Sequence, residues 1–151
     1  MAFLENTVII KKPLTEVFQI ATDFTKSPEF MDAVVEVEPL TEGPVRKGYQ
    51  FKEVREIRGR KAASTIEITE YEQNRSYTAS SEQNGLELRY HYTFIETTGG
   101  TKVKFAGELF TKGIRNKLFQ PLIKKIIKKE DEHHLDNLKS YIEQDSESGN
   151  G

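Results

Sequence analysis

Near its C-terminal end the chain carries Glu130-Asp131-Glu132-His133-His134, three carboxylates and two imidazoles in five residues. Glu130 and His134 fall one helical turn apart, and Glu/His pairs of this kind build di-iron sites. Such sites take further glutamates and a second pair from other helices, and the sequence holds no second copy. No metal is therefore expected, and a solvated stretch of helix is the plainer reading. His133 has more to offer. At 100° per residue it lies near the face of Leu122 and Ile126, where it can bond a ligand or move a proton near neutral pH, or else stand partly exposed. Upstream, Glu53 and Arg55 share one face of a strand. Buried, they must pair with each other or hold a polar head group; at the surface they are ordinary charges. Tyr90 and Tyr92, with His133, are the candidates for proton transfer. Asp23 reads as the bracket of a loop. Neither a Gly-x-Ser-x-Gly elbow nor a phosphate-cradling glycine loop occurs, which argues against hydrolase and nucleotide chemistry. With 0 cysteines, disulfide scaffolds, thiolate metal sites and cysteine nucleophiles are all excluded. Nothing in the pattern calls for a cofactor.

The elements that must position these groups follow from periodicity. Val8-Ile9-Ile10 reads as a strand that Pro13 ends, and Leu14, Val17, Phe18 and Ala21 form a short helical stripe. A second short helix is expected from Pro28, capped by Ser27, and then a strand with Val35 and Val37 that closes at Pro39. Residues 47–111 read as consecutive antiparallel hairpins punctuated at Arg58-Gly59, Gln73-Asn74, Asn84-Gly85 and Gly99-Gly100. Leu86, Leu88, Tyr90, Tyr92 and Phe94 alternate with polar residues, as a half-buried strand requires. A long helix is expected over about 112–142. Its early apolar positions centre on Leu122 and Ile126 and its later ones drift toward Leu138, which predicts a curve or kink near Lys128–Glu132. Pro121 suggests that the segment before it is a separate turn. Residues 1–143 are expected to form one domain, and 144–151 a disordered tail with nothing to bury.

One narrow helix over a long curved sheet leaves space beneath it. Parity turns Tyr49, Phe51, Glu53 and Arg55 to one face, together with Ile66, Ile68, Tyr77, Leu88, Tyr90, Tyr92, Phe94 and Phe105. Adding Leu118, Leu122, Ile126 and His133 from the helix gives the expected ligand-binding set. So many hydroxyls and charges suggest a wet, ligand-sized cavity rather than a dry core. The alternative is that the tyrosines reach solvent at strand ends and that a bulge re-aims Glu53 and Arg55. Lys124, Lys125, Lys128 and Lys129 lie on one side of the helix, either as a solvated face or as one that touches anionic lipid transiently.

The 151 residues carry 36% hydrophobic and 30% charged side chains with a formal net charge of -2. That balance implies one soluble domain and gives no reason to expect a nucleic-acid partner. No apolar run approaches a membrane span. Glu5 stands where a signal peptide would be basic, so a cytoplasmic protein, a monomer by default, is expected.

The order of elements resembles the helix-grip superfamily of START-like lipid carriers, birch-pollen-allergen-like proteins and polyketide cyclase/dehydrase-like proteins, often called SRPBCC. The resemblance rests on Val8-Ile-Ile-Lys-Lys-Pro13-Leu-Thr-Glu-Val17-Phe18, Asp23, Gly48-Tyr-Gln-Phe51, Ile68-Thr-Glu-Tyr71, the Gly99-Gly100-Thr101 turn and the closing helix, over Phe3 to Ile142. It departs at Phe30-Met31, where many relatives carry tryptophan. The resemblance implies an α+β helix-grip fold: a curved antiparallel sheet around a long C-terminal helix, with two short helices between the first two strands. It also implies a cavity for a hydrophobic or aromatic small molecule or lipid. Binding, as in transport or sequestration, is the leading expectation. A cyclase/dehydratase-like enzyme and an Hsp90-activator-like interaction module are the alternatives, since a fold does not fix a function.

Overall fold

The computed structural model describes residues 2–149, apart from the side chains of Ile57 and of residues 145–149. Chain order is β1 (Leu4–Ile10), α1 (Leu14–Ala21), a 3-10 helix (Phe24–Glu29), β2 (Val34–Pro39), β3 (Gln50–Ile57), β4 (Arg60–Glu72), β5 (Ser76–Gln83), β6 (Leu86–Thr97), β7 (Gly100–Thr111), α2 (Ile114–Asp131) and α3 (His134–Gly149). The strands make one antiparallel sheet in the order β1-β7-β6-β5-β4-β3-β2. Every neighbour from β2 to β7 is thus the next strand in sequence, and β1 closes against β7. This is the expected α+β helix-grip architecture. No helix among the described residues is long and apolar enough to cross a membrane.

Local chemistry explains the hairpins. Asn84 and Gly85 both take positive φ, 52° and 79°, as a two-residue turn between twisted strands demands. That turn joins Gln83 to Leu86 in register, so Leu88, Tyr90, Tyr92 and Phe94 all present to the concave face. Tyr77, Tyr92, Phe94, Val103 and Phe105 are buried there with Ile10, Val17, Phe18 and Ile68. From α3, Leu135, Leu138 and Ile142 complete this core, their spacing giving one helical face. Two polar ties hold the C-terminal segment along β1 and the residue after it: the Lys11 backbone N–H donates to Glu143 Oε2 at 2.9 Å, and Asn6 Nδ2 donates to the Glu132 carbonyl, just before α3, at 3.1 Å.

Several local expectations are corrected. The second short helix opens at Phe24, because the Lys26 N–H already bonds the Asp23 carbonyl at 3.0 Å. Ser27 is buried inside it rather than capping it, and Pro28 sits within, where a missing donor costs a short 3-10 turn only one bond. Asp23 does bracket the loop, accepting from Thr25 Oγ1 at 2.5 Å. In β2 a bulge between Val34 and Glu36 turns Val34 into the core and leaves Val35 outside. Pro121 lies within a continuous α2 rather than after a separate turn. It is exposed, so solvent can satisfy the Lys117 carbonyl that loses its donor. The C-terminal helix is interrupted at 132–133, beside the stretch where the apolar pattern changes. The segment expected as a disordered tail from 144 is helical as far as Gly149, the end of α3, and residues 150 and 151 lie outside the described ones.

Candidate functional site

A cavity of about 190 Å³, partly open, lies between the concave face of the sheet and the C-terminal helices. Its wall is largely aromatic and aliphatic. Phe24 stacks on Phe51 with centroids 4.6 Å apart and meets Tyr77 edge-on, while Tyr77 stacks on Tyr92 at 4.5 Å. Phe30 stacks near His134, and Ile66, Leu88, Ile127 and Leu138 supply the aliphatic part. Register puts these strand residues on one face, because Tyr77 pairs with Tyr92 and Phe51 with Ile66 directly across the ladder.

Against this apolar wall sits a connected polar group centred on Asp131, the last residue of α2. Arg55 Nε donates to Glu53 Oε1 at 2.6 Å, and its Nη1 donates to Asp131 Oδ1 at 3.3 Å. Glu130 Oε2 stands 3.9 Å from the same nitrogen. Tyr90 Oη donates to Asp131 Oδ2 at 2.5 Å. Arg55, Glu130 and Asp131 also line a second cavity of about 160 Å³ on the far side, toward Met31–Val34. Gly107 makes room for Tyr90: a Cβ there would lie 3.1 Å from the ring.

The environment sets protonation. Burial opposes the charge of Arg55, but Asp131 and Glu53 outweigh it and hold the guanidinium more firmly protonated than usual. Burial raises the Tyr90 phenol well above its ordinary value, and the Asp131 carboxylate adds to that. Tyr92 and Tyr77 are raised by burial as well. Glu130 is raised by burial and by Asp131, with Arg55 opposing. His134 moves the other way, with burial lowering it to about 4, so the ring is neutral at physiological pH. Its Nε2 shares a 2.9 Å hydrogen bond with Tyr92 Oη. Its Nδ1 is buried with no partner among the described residues. A buried unpaired ring nitrogen costs free energy.

The structure sorts the expected ligand-binding residues into three groups. Phe51, Glu53, Arg55, Ile66, Tyr77, Leu88, Tyr90 and Tyr92 line the cavity. Tyr49, Ile68, Phe94 and Phe105 are buried in the core and do not reach the lining. Leu118, Leu122 and Ile126 are exposed, and His133, 72% exposed beside Glu132 and Asp136, borders only the second cavity. The last two corrections have one cause. Asn116 Nδ2 donates to the Asn84 and Lys112 carbonyls at 2.8 and 2.9 Å, which turns the Asn116, Gln120, Ile123 and Ile127 face of α2 inward. The apolar stripe through Leu122 and His133 therefore points out. Sequence reasoning missed Asp131 and His134. They lie on the helix face found by stepping back from Leu138 and Ile142 at 100° per residue, through His134, Asp131 and Ile127.

The family described as polyketide cyclase/dehydrase and lipid transport matches residues 1–143, and the chain belongs to it. No curated protein matches the sequence. Among solved structures, a protein from Thermus thermophilus is 18% identical with a TM-score of 0.76, over 95% of this chain and 98% of that one. A START superfamily protein from Mycobacterium smegmatis is 16% identical with a TM-score of 0.70, covering 93% and 97%. An aromatase/cyclase from a Streptomyces species is 11% identical with a TM-score of 0.72, covering 93% of each chain. At these identities the likeness is one of fold.

Proposed function

We propose that this member of the polyketide cyclase/dehydrase and lipid transport family binds a hydrophobic or aromatic small molecule, or one end of a lipid, in the cavity beneath its C-terminal helices, as a cytoplasmic monomer. The observation that carries the reading is the wall itself, largely aromatic and aliphatic, with its charged groups gathered around Asp131 and the hydroxyls of Ser27, Ser64, Ser80 and Ser81 beside them in the lining. That is the division of labour of ligand pockets, in which apolar burial supplies affinity and a few polar groups fix orientation. At about 190 Å³ the cavity is below the roughly 300–1,000 Å³ of drug-sized sites, so a long chain leaves by the open side with its head enclosed.

Charge narrows the head group. Three carboxylates, Glu53, Glu130 and Asp131, surround one guanidinium. An anionic ligand meets excess negative charge where water screens it poorly. A neutral hydroxyl or phenol fits better, since it donates to a carboxylate without adding negative charge. The test is titration with the neutral fluorophore N-phenyl-1-naphthylamine, followed by competition with decanol and decanoate. Binding is expected, with decanol competing at lower concentration than decanoate. Ala79→Phe, which fills the lined space, should abolish it. Unchanged binding by that variant sinks the cavity assignment; preference for decanoate sinks the head-group argument alone.

A second reading, a cyclase/dehydratase-like enzyme, is favoured by one observation. The hydrogen bonds of Tyr90 with Asp131 and of Tyr92 with neutral His134 stand in the same cavity, where they could hold and move protons. Tyr90→Phe and His134→Gln separate the readings: an enzyme loses turnover with binding kept, whereas a carrier changes only in affinity.

A further inference from the structure

Ligand binding in the cavity makes no use of the outer face of α2. Ile114, Leu118, Leu122 and Ile126 are 87, 73, 55 and 51% exposed, and Phe119 beside them is 48% exposed. At four-residue spacing each advances 40° from the last, so they form one continuous stripe along three turns. The same segment carries Arg115, Lys117, Lys124, Lys125, Lys128 and Lys129. These are six of the chain's 22 basic residues, and none of its 24 acidic ones falls between Ile114 and Lys129. A protein of net charge -2 thus concentrates positive charge on the helix that also exposes its apolar residues. None of the six is in an ion pair among the described residues. The opposite face, with Asn116, Gln120, Ile123 and Ile127, is tied to the Asn84-Gly85 turn, and its last three turn-by-turn positions from Gln120 are at least partly covered, so the stripe is held outward.

We propose that α2 is a docking helix for an anionic membrane surface. Exposed apolar patches of this kind mark interaction sites, and charge selects the partner. A second copy of the chain would set six basic residues against six others. An anionic bilayer neutralises the cations at its headgroups and takes the apolar stripe at the acyl boundary. The last two turns of the same helix line the cavity through Ile127, Glu130 and Asp131. Docking through the outer face therefore holds the cavity on the other side of this helix, about 10 Å from the lipid surface. That consequence rests on the cavity reading; docking itself does not.

The experiment is flotation of the full chain with vesicles of phosphatidylcholine alone or with about 30% phosphatidylglycerol, at about 0.05 M and 0.5 M NaCl. The expected result is binding to the anionic vesicles at low salt, at least about tenfold weaker to neutral ones, and loss at high salt. Lys124→Glu/Lys125→Glu/Lys128→Glu and Leu118→Ser/Leu122→Ser should each reduce binding by at least about tenfold, with thermal stability and N-phenyl-1-naphthylamine binding unchanged. Those residues lie outside the cavity, so dye binding reports separately on the cavity reading. Equal binding to both vesicle types, or indifference to both variants, overturns the proposal. A dimer in solution that dissociates on Leu118→Ser/Leu122→Ser also overturns it, in favour of a second copy, and saturable binding to an acidic protein with none to vesicles does so in favour of that partner.

Discussion

His134 should make the protein acid-labile before its carboxylates titrate. In the unfolded chain its imidazole has the ordinary value of 6.5, and in the folded protein burial lowers it to about 4. Between those values the unfolded state binds a proton that the folded state refuses, so stability is complete above pH 6.5 and falls as pH drops toward 4. The slope is about 1.4 kcal/mol per pH unit, and the full window is worth about 3 kcal/mol. A domain of this size holds roughly 5–15 kcal/mol in all, so the loss is large. Groups facing the ring act in both directions: Asp131 on α2 favours the imidazolium, Arg55 on β3 opposes it, and Tyr92 on β6 is neutral. Glu130, held above its ordinary value, works against the trend near the bottom of the window. Comparison with His134→Gln, which keeps a partner for Tyr92, removes these common terms. The assay is urea unfolding by circular dichroism at half-unit steps from pH 4.5 to 7.5. Wild type should lose stability relative to the variant by about 2 kcal/mol between pH 6.5 and 5. Parallel curves for the two proteins would refute the neutral buried imidazole.

Three further perturbations test the site and its supports. Arg55→Met leaves Glu53 and Asp131 without their cation and should cost about 3–5 kcal/mol; adding Glu53→Gln and Asp131→Asn should recover most of it, read as melting temperature. Gly107→Val presses on the Tyr90 ring at 3.1 Å and should destabilise by about 1–3 kcal/mol while weakening dye binding. Gly99→Val, which meets nothing within 4 Å, should leave both alone. Leu138→Ala, at 2% exposure, should cost about 2–5 kcal/mol in urea. Leu122→Ala, on the outer face, should stay within about 0.5 kcal/mol, and similar costs for the two would contradict the orientation of α2.

The sheet half of the site was legible because strand parity has a period of two and a buried face leaves no freedom. Once Asn84-Gly85 sets the turn, Leu88, Tyr90 and Tyr92 must share a face, and the same parity carries Phe51, Glu53 and Arg55 inward together. The bulge that would have re-aimed Glu53 and Arg55 is absent from β3; irregularities fall at Val34/Glu36 and Ile68/Glu70 instead. Parity cannot say how deep a side chain lies, however. Tyr49, Ile68, Phe94 and Phe105 point inward and are consumed by core packing, Tyr49 against Phe24, Phe94 against Phe18 and Phe105 against His134, so they sit behind the lining rather than in it.

The helix half misleads because apolarity is a poor compass for a helix with two jobs. Orienting the segment by its most hydrophobic stripe selects Leu118, Leu122, Ile126 and His133, yet the face that touches protein is mixed: Asn116, Gln120, Ile123, Ile127, Asp131, His134, Leu138 and Ile142. That face keeps its phase across the interruption at 132–133, with steps of three or four residues throughout. It grows drier as it goes, from the Asn116 tie at the Asn84-Gly85 turn, through the Asp131 and His134 polar groups at the cavity, to Leu138 and Ile142 in the core. The apolar members of the second stripe, Ile114 to Ile126, all lie in α2, within the acid-free basic stretch that ends at Lys129. An apolar face needed for folding would continue into α3, where the core is built. One confined to the basic half, and turned from the sheet by a specific side-chain tie, is better explained by contact outside the fold.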